Sequence, residues 1–241
     1  MTVLGIVAAL PGEARALGLG RRARSLDMPV SLARTDAPVW VSVSGMGPGR
    51  ARASALALRE RNAGALLSFG CAAGLDPRLP PGALVVPQRL SHAQGSATAV
   101  TGQWHAGLCL ALAGSLDVHT SALAAAQALL ESSSDKRALG EASGAAAADM
   151  ESAAVAEVAL DAGLPFIAVR AVADDATMSI PLAARAAAGA NGRIRPGASL
   201  RALVANPREL AALTALGRAF CRACATLALV AASTGRRFAL D

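Results

Sequence analysis

Three acidic positions in this 241-residue chain stand where backbone pattern and chemistry meet. Asp174-Asp175 directly follows the apolar run Pro165-Phe166-Ile167-Ala168-Val169-Arg170-Ala171-Val172-Ala173. Open α/β sheets bind ligands outside the carboxyl ends of their strands, so an acid at that point faces a ligand crevice. Burial and the neighbouring charge of Asp175 would both lift Asp174 above the ordinary aspartate pKa of about 3.9. A carboxyl kept protonated in this way is a general acid; the same pair could instead cap a following turn. Asp149-Met150-Glu151-Ser152-Ala153 opens a helix. An ionised Glu151 offers two acceptor oxygens to a pair of hydroxyls, or it serves only the helix dipole. Met150 is either a ligand contact or core filler. The third acid, Glu13, follows the first apolar run in the turn Pro11-Gly12-Glu13-Ala14-Arg15.

These residues need strands and helices to hold them. Residues 3–9 form an apolar, partly β-branched strand, followed by a turn and a helix start. Residues 39–44 are a second strand, ending in the turn Ser44-Gly45-Met46-Gly47-Pro48-Gly49, and residues 50–61 a helix rich in Ala and Leu. Residues 65–69 are a short buried strand closed by Gly70-Cys71-Ala72-Ala73-Gly74, and residues 83–87 a strand after Pro80-Pro81-Gly82. Between residues 91 and 144 the pattern is weakest: a helix is expected at 121–131 and a break at Ser132-Ser133-Ser134-Asp135. Residues 151–162 form a helix stopped by Gly163 and Pro165, and residues 166–173 a central strand. Helices with loops follow, with a turn at Ala190-Asn191-Gly192. The alternation of strands and helices indicates parallel βαβ units, hence one α/β domain over 1–241 with a largely parallel sheet.

A helical C-terminal extension begins near residue 200. Its long helix, 207–232, starts with Asn206 as cap and Pro207 at the first position. Leu210, Leu213, Leu216, Phe220, Cys224 and Leu227 make one face apolar, with Arg218 and Arg222 opposite. That face packs onto the domain or meets a lipid surface.

Composition narrows the field. Hydrophobic residues reach 54% and aromatics only 2%, with two Trp and four Phe, too few for base stacking on nucleic acid. The net charge of +6 points to an acidic partner or to a general bias toward Arg. No apolar run reaches the roughly 18 to 20 residues that cross a bilayer. The N-terminus lacks a basic leader, so a cytoplasmic protein is expected. Cys221-Arg222-Ala223-Cys224 lacks two further zinc ligands nearby and is expected to be two buried thiols. His92, His105 and His119 have no metal-ligand spacing.

The run Asp149-Met150-Glu151-Ser152-Ala153, followed by the strand that ends in Asp174, resembles the nucleoside phosphorylase and nucleosidase superfamily. This includes the purine nucleoside phosphorylases and the methylthioadenosine/S-adenosylhomocysteine nucleosidases. The resemblance implies a three-layer α/β/α fold and cleavage of an N-glycosidic bond. It also implies roles: Glu151 on the ribose 2′ and 3′ hydroxyls, Met150 against the sugar, and Asp174 protonating N7 of the departing purine. Many relatives have a Ser before this Asp that helps orient it; here Ala173 stands there. Glu13 matches the nucleosidase Glu that activates water, whereas Pro11-Gly12-Glu13-Ala14-Arg15 also resembles the phosphate loop of the phosphorylases, with Arg15 on the phosphate. Met46 and Gly47 match a turn that approaches the sugar. Cys71 and Ala72 lie in the Cys71-Ala72-Ala73-Gly74 loop, where nucleosidases have Ser-Ala-Gly-Gly. Phosphorylases carry Arg-Val-Gly-Ser where this chain has Ser68-Phe69-Gly70-Cys71, so water is favoured as nucleophile, with phosphate open as co-substrate. No metal or other cofactor is implied.

Residues 174–181 and 200–227 are more similar to the hopanoid-biosynthesis-associated branch, thought to release adenine from adenosylhopane. That implies a lipid-linked nucleoside and peripheral contact with the inner membrane face. The rival substrate is a 5′-thioadenosine compound, and a non-catalytic nucleoside-binding protein is the alternative of another class. The family resemblance further implies a homodimer.

Overall fold

The computed structural model of the chain describes residues 2–18, 30–31, 39–92, 96–187, 196–235 and 237–240. Its centre is β4 (Ala65–Gly74), ten residues long and flanked by three strands. Along its first half β4 pairs in parallel with β1 (Leu4–Ala8) on one side and with β11 (Phe166–Asp174) on the other. At its end β10 (Ala147–Asp149) replaces β1 as an antiparallel neighbour. β3 (Val39–Val43) lies parallel to β1, with β2 (Val30–Ser31) antiparallel at its edge. Beyond β10 the sheet continues through β9 (Leu123–Ala125), β6 (Arg89–Ser91) and β7 (Ala97–Ala99). β5 (Leu84–Val85) pairs with β11, and β8 (Val118–His119) with β5.

All nine residues of β11 are buried, the signature of a strand covered on both faces. On one face α2 (Pro48–Glu60) packs against α5 (Ser152–Asp161). On the other, α8 (Leu210–Ser233) covers β11 and meets α1 (Pro11–Ala16) and α3 (Gly102–Leu112). α4 (Ser133–Ser143) sits beside β9, while α6 (Leu182–Ala187) packs on α7 (Pro196–Ala205). The chain is thus an α/β fold with a mixed central sheet between helices, as expected.

Several elements differ from expectation. Gly70 and Gly74 do not close a turn after residue 69; they are strand residues of β4. Residues 121–131 contain no helix. The backbone pairs as β9 between β10 and β6, and this sheet pairing overrides the helix preference of its alanines. Ser132-Ser133-Ser134-Asp135 is not a break but the start of α4. Ser132 caps it, accepting from the Asp135 backbone N–H at 3.1 Å, while Asp135 accepts from the Ser132 N–H at 3.0 Å. Asn206 does not cap α8 with its side chain; Pro207–Glu209 form a 3-10 turn and α8 follows. Cys221 is exposed rather than buried. The turn at Ala190-Asn191-Gly192 lies outside the described residues.

The C-terminal helix is also longer and more apolar than the expectation of no bilayer-length run. Pro207–Ser233 has a mean hydropathy of 1.4 over its most apolar window and is long enough to cross a membrane. One face of its second half is nevertheless core: Ala219, Ala223, Leu227 and Val230 are buried against the sheet. The first half leaves Leu210 exposed and turns Leu213 and Leu216 toward a cavity.

Leu67 lies in the middle of β4, opposite Ile6 of β1 and Ile167 of β11, with no exposed surface. Leu67→Ala is expected to cost about 2–5 kcal/mol, read in urea unfolding as a lower midpoint with unchanged slope.

Candidate active site

Where β4, β10 and β11 end, a cavity of about 530 Å³ opens toward α8. Glu13, Glu151 and Asp174 all line it, brought together from distant parts of the chain by α1, the start of α5 and the end of β11. Met46, Cys71, Ala72 and Met150 line it as well. Gly47 does not, but its backbone N–H donates to Glu151 Oε1 at 2.7 Å, so the turn orients the acid. Its φ of +103° is a conformation that favours glycine. Arg15 is exposed, its Nε donating to the Pro11 carbonyl at 3.1 Å, and it is not among the lining residues.

Glu13 is gripped by backbone. Oε2 accepts from the N–H groups of Ala9 and Leu10, each at 2.8 Å, and Oε1 from that of Cys71 at 2.8 Å. Burial raises its pKa against the opposing pull of Arg170 and these three donors. Gly70 makes the site possible. A Cβ there would lie 2.7 Å from both Arg170 Nη1 and Glu13 Oε1, so any side chain would displace one of them. This is the physical reason why this position of β4 is a glycine.

Arg170, which the sequence reading did not single out, is the hub. It is 2% exposed in the middle of β11. Its Nη2 lies 2.5 Å from Asp149 Oδ2 and donates to Ser68 Oγ at 2.5 Å and Ser152 Oγ at 2.9 Å. Burial disfavours its charge, but Asp149, Glu151 and Glu13 outweigh that and raise its pKa. Asp149 in turn accepts from the Ser152 N–H at 3.0 Å and hydroxyl at 2.7 Å, capping the helix that carries Glu151. An Arg inside an otherwise apolar strand was the signal available in the sequence, since a buried guanidinium requires acidic partners.

Asp174 is aimed by an irregularity. The β11–β4 register shifts between Val172 and Asp174, which re-aims the side chain at the strand end. Burial raises its pKa to about 6, against the lowering effect of Lys136, with Asp175 adding to the rise. Glu151 is raised to about 7, by burial first and then by Asp149, against Arg170 and the Gly47 N–H. Both neutral forms therefore favour the fold. Their stabilising contribution is complete below about pH 4 and is lost as pH rises through about 6 and about 7.

The rest of the wall is apolar, supplied by residues such as Leu130, Ile180, Leu213, Leu216 and Phe220. The nearby Cys224 thiol of α8, then burial, pushes the Cys71 thiol up, and Cys71 in turn pulls Cys224 down. Among the described residues, no group of three or more His, Cys, Asp or Glu could hold a metal ion.

Replacing Arg170 tests the hub. Arg170→Leu leaves Asp149, Glu13 and Glu151 buried without their cation, and is expected to cost about 3–5 kcal/mol near neutral pH. The deficit should shrink in acid, where Glu13 and Glu151 take up protons; urea unfolding at two pH values measures it.

Comparison with known proteins identifies the family and the fold. Residues 4–205 match the family model of the phosphorylase superfamily. The fold is similar to futalosine hydrolase of Helicobacter pylori, with a TM-score of 0.72 at 16% identity over 98% of both chains. The 5′-methylthioadenosine/S-adenosylhomocysteine nucleosidase of the same organism is equally similar, with a TM-score of 0.72 at 16% identity and 98% of both chains covered. The S-adenosylhomocysteine nucleosidase of Streptococcus pyogenes gives 0.66 at 20% identity over 95% of each. No curated protein matches the chain. With the family model covering most of its length, the chain belongs to the phosphorylase superfamily, a family of enzymes that cleave N-glycosidic bonds.

Proposed function

We propose that the protein hydrolyses the N-glycosidic bond of a 5′-substituted adenosine and releases adenine. The observation that carries this reading is the convergence of Glu13, Glu151 and Asp174 on one cavity. Breaking the bond develops positive charge on the ribose ring and negative charge on the leaving base. Asp174, whose pKa burial lifts to about 6, holds a proton to give to N7 as the C1′–N9 bond breaks. Glu151 in its ionised form accepts the two ribose hydroxyls, with Met150 and Met46 against the sugar. Glu13, anchored by three backbone N–H groups, takes the proton of the water that attacks C1′. Fixed charges in a largely apolar pocket favour the charge-separated transition state.

Water is preferred to phosphate because of where the cations lie. Among the described residues the cavity lining contains no Arg or Lys. Arg170 is engaged with Asp149 and the two serines, and Arg15 is turned to Pro11. Among the described residues that line the cavity, a phosphate dianion beside Glu13 would find no guanidinium to pair with.

For the 5′ substituent the proposal is a large apolar group, with adenosylhopane of hopanoid lipid biosynthesis as the best candidate. In support, the wall beyond the acids is aliphatic, and exposed Leu129, Leu182, Leu200, Val204 and Leu210 lie on the elements around it. Such a rim suits peripheral contact with a membrane that holds the substrate. The futalosine and methylthioadenosine enzymes similar in fold keep a smaller 5′-substituted nucleoside as the competing reading. A homodimer is part of the proposal.

Incubation with 5′-alkyl and 5′-methylthio adenosines, with and without phosphate, separates these readings. Free adenine with a free sugar, unaffected by phosphate and faster for long alkyl chains, is the expected result. A sugar 1-phosphate would overturn hydrolysis, and preference for methylthioadenosine would overturn the lipid assignment. Asp174→Asn should lower kcat by about 10²- to 10⁴-fold while nucleoside affinity stays nearly constant; a protein that only binds would show no such split. The pH profile of kcat/KM should be a bell with its maximum between about 6 and about 7. Activity falls on the acid side as Glu151 is protonated and on the alkaline side as Asp174 loses its proton.

A further inference from the structure

We propose that Lys136 is a positioning residue for the acid Asp174: it fixes the carboxyl against the departing base and neutralises the carboxylate left when the proton is given up. This rests on the reading of Asp174 as the acid of N-glycosidic cleavage. Lys136 lies in the first turns of α4 and has no exposed surface. Its Nζ donates to the carbonyls of Asp175 at 2.7 Å and Met178 at 2.8 Å, and stands 2.5 Å from Asp174 Oδ2. Two of the three N–H donors of the ammonium are thus used by carbonyls, and the ion pair with Asp174 completes its seat.

Two further observations give that seat a chemical purpose. The residue before the acid is Ala173, which has no hydroxyl to orient Asp174. Among the described residues, Lys136 is the one side chain that forms an ion pair with the Asp174 carboxyl. By holding Oδ2 from the α4 side it leaves Oδ1 for the cavity that Asp174 lines. Burying an ammonium is costly unless an anion matches it. When Asp174 is neutral the match is incomplete; when it has released its proton the match is full. The pair is therefore more stable on the product side of proton transfer, which is the differential stabilisation that accelerates a step.

The step balances. The Asp174 proton goes to N7, the electron pair of C1′–N9 goes to the base, and water supplies oxygen to C1′ and a proton to Glu13. Lys136 keeps its three protons throughout. The charged groups acting on Asp174 are Lys136 from α4 and Asp175 next along the chain, and they act in opposite directions.

The test compares Lys136→Met with the unchanged protein, with far-UV circular dichroism and thermal unfolding as controls for the fold. With adenine as leaving group, kcat should fall about a hundredfold with KM within threefold, and the alkaline limb of kcat should move up by about one to three pH units. With a nitrophenyl riboside, whose leaving group needs no proton, the two proteins should differ little. Lys136→Gln, which keeps amide donors for the two carbonyls, should show the same pattern. An unmoved alkaline limb, or equal losses on both substrates, would overturn the proposal and leave Lys136 a structural strut. Loss of the fold in both variants would overturn it too. If Asp174→Asn turned over adenosine substrates at the full rate, it is the reading of the acid that would fail, separately from Lys136.

Discussion

Arg170 is a guanidinium buried in the middle of the sheet, and the site is arranged around the need to pair it. A charge of that kind cannot stay dry without partners. Asp149 and the hydroxyls of Ser68 and Ser152 take its Nη2, and Glu13 and Glu151 add their fields from the cavity side. Each partner belongs to a different element: Ser68 to β4, Asp149 to β10, Ser152 to α5 and Glu13 to α1. One cation thereby ties the sheet to the two helices that carry acids. The arrangement also demands emptiness at Gly70, where a side chain would collide with Glu13 and Arg170.

The second acid, Asp174, lies outside that network and has its own cation. Lys136 holds it from α4. The same two-residue logic gives the two sides different tasks. Around Arg170 burial still raises Glu13 and Glu151, but the guanidinium and the backbone N–H donors oppose it, which suits holding hydroxyls and receiving a proton. At Asp174 burial dominates and a proton can be kept near neutral pH. Two acids with different environments on opposite sides of a bond are the usual requirement for displacement at a sugar carbon. The apolar wall from α8 then limits water and shapes the 5′ end of the ligand.

Much of this was legible in the sequence, and the misses have physical causes. Apolar periodicity located β1, β3, α2, α5 and β11 because their own residues bury one face or both. Glu13, Glu151 and Asp174 were found because each sits at a strand end or helix start within runs that resemble the superfamily's motifs. β9 was mistaken for a helix because its alanines carry no strand preference, and only pairing with β10 and β6 makes it extended. The glycines of β4 resembled a turn because the side chains that require them come from Glu13 and Arg170, far away in sequence. Lys136 was invisible for a related reason. A Lys in the first turns of a polar helix looks solvated until the carbonyls of Asp175 and Met178 are folded over it.

The most direct measurement is a crystal structure with an adenosine analogue whose glycosidic link is a carbon–carbon bond and cannot break. The account predicts both ribose hydroxyls on Glu151, the N7 edge of the base on Asp174, and a water between Glu13 and C1′ on the face opposite the base. A nucleoside bound with its base toward Glu13, or seated away from the three acids, would contradict it.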